Sequence, residues 1–183
     1  MQRTSILLFV VVVFFATATQ AQAPAPKPNP ELKKLLPLVG HWTYEGEYKP
    51  GPLGPGGKIT GVYDAHWILG GFFLQAQEAE KGEAGETHNL EIDSYDPVNK
   101  TFASDLYQSD GTRFSGTLTI AGNTITWAGK WVIAGKQYLF REPFVLAPDS
   151  MSGTTKGEIS TDGKTWTPFF EGKFTKAKPG SKK

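Results

Sequence analysis

The sequence predicts an all-β fold, an antiparallel up-and-down barrel of about ten strands with a short N-terminal helix. Short runs of aromatic and β-branched residues alternate with polar residues along most of the chain. Gly, Asn, Asp and Pro separate these runs at hairpin spacing. The 183 residues, 39% of them hydrophobic, suit one domain with its own core.

The first 23 residues have the three parts of a secretion signal. Arg3 supplies the positive charge, residues 6–15 the apolar stretch, and residues 16–23 the small residues that precede a cleavage site. The apolar stretch is too short to cross a bilayer comfortably. We therefore expect a periplasmic or secreted protein without a stable membrane anchor after cleavage.

The rest of the chain divides into a leader, one domain and a tail. Residues 24–30 alternate proline with small or polar residues, which is typical of a flexible leader. Residues 31–175 form the predicted barrel domain, and the basic residues 176–183 a solvated tail. At the start of the domain, Leu32, Leu35 and Leu36 share one helical face, which predicts a short helix that ends at Pro37.

The strands follow from alternation. In the first predicted strand, Trp42, Tyr44, Gly46 and Tyr48 alternate with polar residues. Further strands are predicted over residues 59–67, 72–79, 90–95, 102–108, 114–120, 124–132, 137–146, 151–159 and 166–175. Strands joined by short turns imply a meander, and closure into a barrel removes its exposed edges. A two-sheet sandwich stays open as the alternative, because alternation does not separate the two.

The loop over residues 50–57 is too rich in Pro and Gly for regular structure. It is either a lid over a barrel mouth or a surface loop without a further role.

Four sequence pieces carry a resemblance. They are Leu-Val-Gly-His-Trp at 38–42, Trp-Ile-Leu-Gly-Gly-Phe-Phe-Leu at 67–74, Tyr-Asp-Pro at 95–97 and Ser-Thr-Asp-Gly-Lys-Thr-Trp at 160–166. The leucine-led Gly-x-Trp is similar to the opening of calycin barrels, the superfamily of lipocalins and fatty-acid-binding proteins. The ordered set resembles an uncharacterised bacterial lipocalin-like family of unknown function. This resemblance implies a barrel with an internal cavity, in which a basic side chain near the last strand, here Lys173, packs against Trp42.

Aromatic residues make up 13% of the chain, and a barrel of this size uses them either as core filling or as the wall of a ligand cavity. The candidate ligand-binding residues are Trp42, Tyr44, Phe72, Leu74, Phe102, Phe114, Trp127, Phe140 and Arg141. Arg141 either binds a ligand carboxylate or forms a salt bridge with Glu142, Glu171 or Glu91.

Other chemistry finds less support in the sequence. Without cysteine there is no disulfide or thiolate site. The 19 basic and 18 acidic residues nearly cancel, so no strong positive field is expected to attract nucleic acid. The three histidines, His41, His66 and His88, lack metal-ligand spacing, and none lies late in the chain, where some small calycin-like barrels hold haem. We expect no metal and no cofactor.

The carboxylates in the predicted strands do not single out a catalytic pair, and solvated strand faces explain most of them. They are Glu45, Glu47, Asp64, Glu91, Asp93, Asp105, Glu142 and Glu171. No linear motif for covalent catalysis or nucleotide binding is present.

Three hypotheses follow. The first is an exported protein that binds a small hydrophobic or amphipathic molecule in the barrel. The second is an exported enzyme that acts on such a molecule, with Arg141, His66 or a cavity glutamate as its polar group. The third is an envelope interaction protein with a filled barrel. The sequence leaves the ligand and the oligomeric state open.

Overall fold

Ten antiparallel strands close into a barrel in a computed structural model that describes residues 25–83 and 85–178. The predicted signal, residues 1–23, and most of the predicted tail, residues 179–183, lie outside the described residues. The strands are β1 Gly40–Tyr48, β2 Gly57–Ile68, β3 Phe73–Gly82, β4 Gly85–Asp96, β5 Thr101–Gln108, β6 Arg113–Ala121, β7 Thr124–Ile133, β8 Lys136–Leu146, β9 Ser152–Ser160 and β10 Thr167–Lys176. Among the described residues, no helix is long and apolar enough to cross a membrane.

Each strand pairs with the next one along the chain, and β10 returns to pair with β1. In this closing pair Trp42 lies opposite Lys176 and Tyr48 opposite Phe170. The predicted up-and-down barrel is therefore confirmed, and the sandwich alternative is not formed. Closure gives both edge strands a partner, so the backbone groups of β1 and β10 are paired.

A 3₁₀ helix, Pro30–Leu38, covers one end of the barrel. The Asn29 side chain caps it by accepting a hydrogen bond from the Glu31 backbone N–H at 3.0 Å. With three residues per turn, Leu32, Leu35 and Leu38 lie on the buried face, while Leu36 is exposed. The prediction that placed Leu36 on the buried face of a helix ending at Pro37 was wrong, because it assumed the α-helical period.

Trp42 joins this helix to the barrel. Its Nε1 donates a hydrogen bond to the Leu38 carbonyl at 2.9 Å. Lys176 Nζ lies 5.1 Å from the centre of the Trp42 ring and donates to the Pro37 carbonyl at 2.9 Å. The partner implied by the resemblance, Lys173, is exposed on the outer face. It differs from Lys176 by an odd number of residues, so the strand sends the two side chains to opposite faces.

The apolar interior consists of two clusters. One surrounds Trp42 and the helix, and its other members come from the strand ends on that side. The second lies at the opposite end, around Trp131 and Phe140, and Leu53 of the 50–57 loop packs against it. The loop thus lies at the end of the barrel away from the helix.

Several inward positions are glycines over which a neighbouring aromatic ring lies. Gly61 in β2 pairs with Tyr44 in β1, and a Cβ added at Gly61 would overlap the Tyr44 ring. Tyr44 is held on its other side by stacking on Phe174, with the ring centres 4.7 Å apart. The ring therefore has little room to retreat.

We expect the substitution Gly61→Ala to lower the free energy of unfolding by about 1–3 kcal/mol, because the added methyl overpacks a buried ring. Urea denaturation measures this change. Gly51→Ala is the matched control, since the nearest atom to its added Cβ is 3.7 Å away. An equal effect of the two substitutions would contradict the packing of Tyr44 over Gly61.

Candidate functional site

A cavity of about 130 Å³ lies inside the barrel, lined by residues from both apolar clusters. Its size is close to that of an engineered apolar cavity of about 150 Å³ that binds benzene. The cavity therefore has room for a molecule of about single-ring size. The lining residues are Leu38, Trp42, Tyr44, Tyr48, Tyr63, Glu78, Glu80, Asn89, Glu91, Leu106, Gln108, Phe114, Trp127, Trp131, Phe140, Glu142, Phe144, Thr155, Phe169, Phe170 and Phe174.

Aromatic rings form more than half of this lining. Trp131 contacts Phe140 and Phe169 edge to face, with ring centres 4.5 and 5.2 Å apart. Tyr44 and Phe174 form a stacked pair. Such interlocked rings give the cavity a rigid apolar wall.

Four glutamates interrupt the aromatic wall: Glu78 and Glu80 of β3, Glu91 of β4 and Glu142 of β8. Strand alternation places them there. Glu78 and Glu80 continue the inward row that begins with Leu74, and Glu142 lies between the inward residues Phe140 and Phe144. The carboxyls are thus part of the interior face and not of the solvated one.

Each of these carboxyls accepts at least one hydrogen bond from a neighbouring side chain. Tyr44 and Tyr48 donate to Glu80 Oε2 at 3.1 and 3.2 Å. Thr155 donates to Glu142 Oε1 at 2.8 Å. For both glutamates, the second carboxyl oxygen has no hydrogen bond from another described side chain.

The other two carboxyls are held by donors from β4, β5 and β7. Asn89 Nδ2 donates to Glu78 Oε2 at 2.6 Å. Trp127 Nε1 and Ser104 Oγ donate to Glu91 Oε1 at 2.7 and 3.1 Å. These bonds fix the carboxyls in place but bring no positive charge to them.

Burial raises the pKa of all four carboxyls, because the ionised form loses its water. The pKa of Glu80 and that of Glu142 rise to about 7. Repulsion adds to burial at Glu142, which senses Glu78, Glu91 and Glu80. Among the described residues that line the cavity there is no Lys, Arg or His to offset these charges.

The remaining titratable groups near the cavity also favour their neutral forms. Burial raises the pKa of Asp93 well above its ordinary value, and the Glu91 charge adds to this. Burial likewise raises the pKa of Tyr44, Tyr48 and Tyr63. The phenols therefore stay protonated, and those of Tyr44 and Tyr48 donate to Glu80.

Three buried polar atoms of the lining side chains have no hydrogen-bond partner in the described part of the chain: Trp131 Nε1, Tyr63 Oη and Asn89 Oδ1. The first two are donors, and Asn89 Oδ1 is an acceptor. Unpartnered buried atoms are few in native proteins, and these three lie in side chains at the wall of a cavity.

The structure places the sequence-predicted binding residues in three different settings. The cavity lining includes Trp42, Tyr44, Phe114, Trp127 and Phe140. Leu74 and Phe102 belong to the apolar cluster under the helix, and Phe72 is half-buried just before β3.

Arg141 lies on the outer face of β8, one residue out of phase with Phe140 and Glu142. Its guanidinium bonds to Glu158 at 2.6–2.7 Å and lies 4.1 Å above the centre of the Trp166 ring. The expected alternatives Glu142, Glu171 and Glu91 as salt-bridge partners were wrong. Glu142 and Glu91 face inward, whereas Glu171 bonds to Lys49.

The histidines do not come together. His41 Nδ1 lies 2.6 Å from Asp64 Oδ1, and His88 Nε2 lies 3.2 Å from Glu86. His66 is exposed. Within the described ranges, no group of three or more His, Asp or Glu residues is arranged to hold a metal ion.

The four lining glutamates, Glu78, Glu80, Glu91 and Glu142, form a carboxyl layer that was not predicted from the sequence. Glu78 and Glu80 were not singled out, and the prediction that solvated strand faces explain most carboxylates was wrong for Glu91, Asp93 and Glu142. The strand period held the signal for Glu142, because Phe140 and Phe144 flank it at two-residue spacing. In β4 the usual pattern of apolar residues inside and charged residues outside is reversed, since Leu90 is 39% exposed while Glu91 is buried.

Comparison with known proteins gives a family and a fold. Residues 27–176 match the profile of a family described as "Protein of unknown function (DUF1579)". The crystal structure of Rv2717c from M. tuberculosis aligns with a TM-score of 0.60 at 15% identity, over 83% of this chain and 100% of that chain. This likeness shows the fold alone. The relation to lipocalins stays a prediction.

A de novo designed fluorescence-activating β-barrel aligns with a TM-score of 0.40 at 12% identity, over 76% of this chain and 93% of that chain. Among curated proteins, none matches the sequence.

We expect the buried carboxyls to make stability fall as the pH rises. Between the ordinary value of 4.5 and about 7, the unfolded chain releases the Glu142 proton while the folded barrel keeps it. Each such carboxyl lowers the free energy of unfolding by up to about 1.4 kcal/mol per pH unit in this window. Thermal melts across this range measure the slope.

The substitution Glu142→Gln removes one titrating carboxyl and keeps the shape of the side chain. The melting temperature of this variant should therefore fall less steeply with pH than that of the unmodified protein. Glu45→Gln, an exposed position on the outer face of β1, is the matched control and keeps the slope of the unmodified protein. Identical slopes for all three proteins would rule out a buried, protonated Glu142.

Proposed function

The chain belongs to the DUF1579 family of proteins of unknown function, and we propose that it binds a small amphipathic molecule inside the barrel. The observation that carries this proposal is the cavity, which combines an aromatic wall with a few convergent polar groups. The apolar part of the ligand lies against the rings, and its polar part reaches the carboxyls. An interaction protein without a ligand is expected to have a filled barrel, whereas this barrel contains a cavity of about 130 Å³.

We also propose that the protein is exported and binds its ligand in the periplasm or outside the cell. The support is the sequence of the first 23 residues, with Arg3 before an apolar stretch and small residues after it. The intact mass of the protein recovered from its own host tests this. A mass that includes residues 1–23 contradicts export with cleavage.

Acid–base catalysis on the bound molecule is the second candidate function. It is favoured by the pKa of about 7 for Glu80 and Glu142, which suits a group that gives and takes a proton near neutral pH. The test is to incubate the ligand with the unmodified protein and with Glu142→Gln. A chemical change in the ligand that only the unmodified protein produces would favour catalysis.

Native mass spectrometry of the protein purified from its own host tests the binding proposal. We expect a stoichiometric small molecule that is released on denaturation and whose size fits about 130 Å³. Recovery of the apo mass alone, also after incubation with an excess of toluene, benzyl alcohol and benzylamine, would contradict the proposal.

Tryptophan fluorescence locates the binding site. We expect the change in emission on adding toluene to be smaller in Trp131→Phe than in the unmodified protein, because Trp131 lines the cavity. This substitution breaks no hydrogen bond of the described chain, since Trp131 Nε1 has no partner. Trp166→Phe is the matched control, as Trp166 lies under Arg141 on the outer face. A signal lost only in the control would place the ligand outside the barrel.

A further inference from the structure

We propose that the cavity is selective for organic cations, that is, for an ammonium group attached to an apolar ring. This inference rests on the proposed binding function and names the chemical class of its ligand. It is carried by the excess of carboxyls in the cavity, the aromatic wall and the unpartnered acceptor Asn89 Oδ1.

The first step is charge. Glu78, Glu80, Glu91 and Glu142 line one cavity, and no Lys, Arg or His is among its described lining residues. An anionic ligand would face four carboxyls without a counter-charge, which disfavours it. A cation is the partner that lets a buried carboxyl ionise at low energetic cost.

The second step concerns hydrogen bonds. Asn89 Oδ1 is a buried acceptor without a partner, and Asn89 Nδ2 is bonded to Glu78. An ammonium N–H next to this pair would satisfy Asn89 Oδ1 and approach the Glu78 carboxylate together. The unpartnered donors Trp131 Nε1 and Tyr63 Oη do not contribute to cation selectivity, but they suit an acceptor elsewhere on a ligand larger than a simple amine.

The third step distinguishes an organic cation from a metal ion. Within the described residues, no His, Asp and Glu group has a metal-binding arrangement. The rest of the wall is aromatic and offers π faces, which attract ammonium groups. Aromatic rings are not ligands for hard metal ions, which take oxygen atoms. An apolar ring with an ammonium substituent uses both parts of the wall.

Binding should release protons. Glu80 and Glu142 are largely protonated in the cavity below about pH 7, and a cation favours their ionised forms. The facing titratable groups are the phenols of Tyr44, Tyr48 and Tyr63 and the buried Asp93, all of which stay neutral. The affinity for an amine that is protonated throughout this pH range therefore increases with pH up to about 7.

Isothermal titration calorimetry with benzylamine hydrochloride and its neutral analogue benzyl alcohol tests the inference on the full chain. At about pH 8 we expect benzylamine to bind at least about tenfold more tightly. Its affinity should fall by up to about tenfold per pH unit below pH 7 for each proton released, whereas that of benzyl alcohol should change little. Buffers of different ionisation enthalpy report the released proton directly.

Two glutamine variants and one control complete the test. Glu142→Gln and Glu78→Gln keep the shape of the side chain and should each weaken benzylamine binding by about tenfold or more, with benzyl alcohol affinity within about threefold. Glu45→Gln on the outer face should change neither. Thermal melts confirm that each variant folds.

The outcomes separate this inference from the proposal on which it rests. Equal affinity for benzylamine and benzyl alcohol, or tighter binding of the amine at lower pH, overturns cation selectivity and leaves the binding function intact. Failure of benzylamine, benzyl alcohol and toluene alike to bind overturns both.

Discussion

Closure of the sheet by the pairing of β1 with β10 is the constraint on which the rest of the structure depends. Seven residue pairs, from Trp42 with Lys176 to Tyr48 with Phe170, join the first strand to the last. Once the sheet is closed, alternate residues of the strands face one shared interior. An exception is the register shift in β10, where the adjacent Phe169 and Phe170 both line the cavity. The interior of this ten-stranded barrel is wider than its inward-facing side chains can fill, so a cavity remains.

The carboxyl layer sits in that interior at an energetic cost that the rest of the barrel must offset. Buried acids without a basic partner stay protonated and weaken the fold as the pH rises. The two apolar clusters on either side of the layer and the donors Tyr44, Thr155 and Trp127 hold the acids in place. Polar groups kept in a core against their solvation preference are typical of functional sites, where stability is lower than the fold alone would allow.

Much of this fold could be predicted from the sequence, because alternation and turn residues are local signals. They indicated the barrel, the number of strands and several cavity aromatics such as Tyr44 and Trp127. The carboxyl layer could not be predicted in this way, because charged residues in a strand ordinarily indicate its outer face. That rule fails in β4, where Leu90 points outward and Glu91 inward. Closure decides which of the two faces becomes the interior, and closure is a long-range property that a strand's own residues do not encode.

The contacts around Trp42 also place both described ends of the chain at the same end of the barrel. The 3₁₀ helix begins at Pro30 and the last strand ends at Lys176, and Lys176 is bonded to the helix through the Pro37 carbonyl. Both described ends of the chain therefore leave the barrel at the same pole, while the 50–57 loop occupies the other pole. A tether joined directly to residue 25 or residue 178 would therefore start from the helix side of the barrel. The opposite pole, with the 50–57 loop, would then face away from the point of attachment.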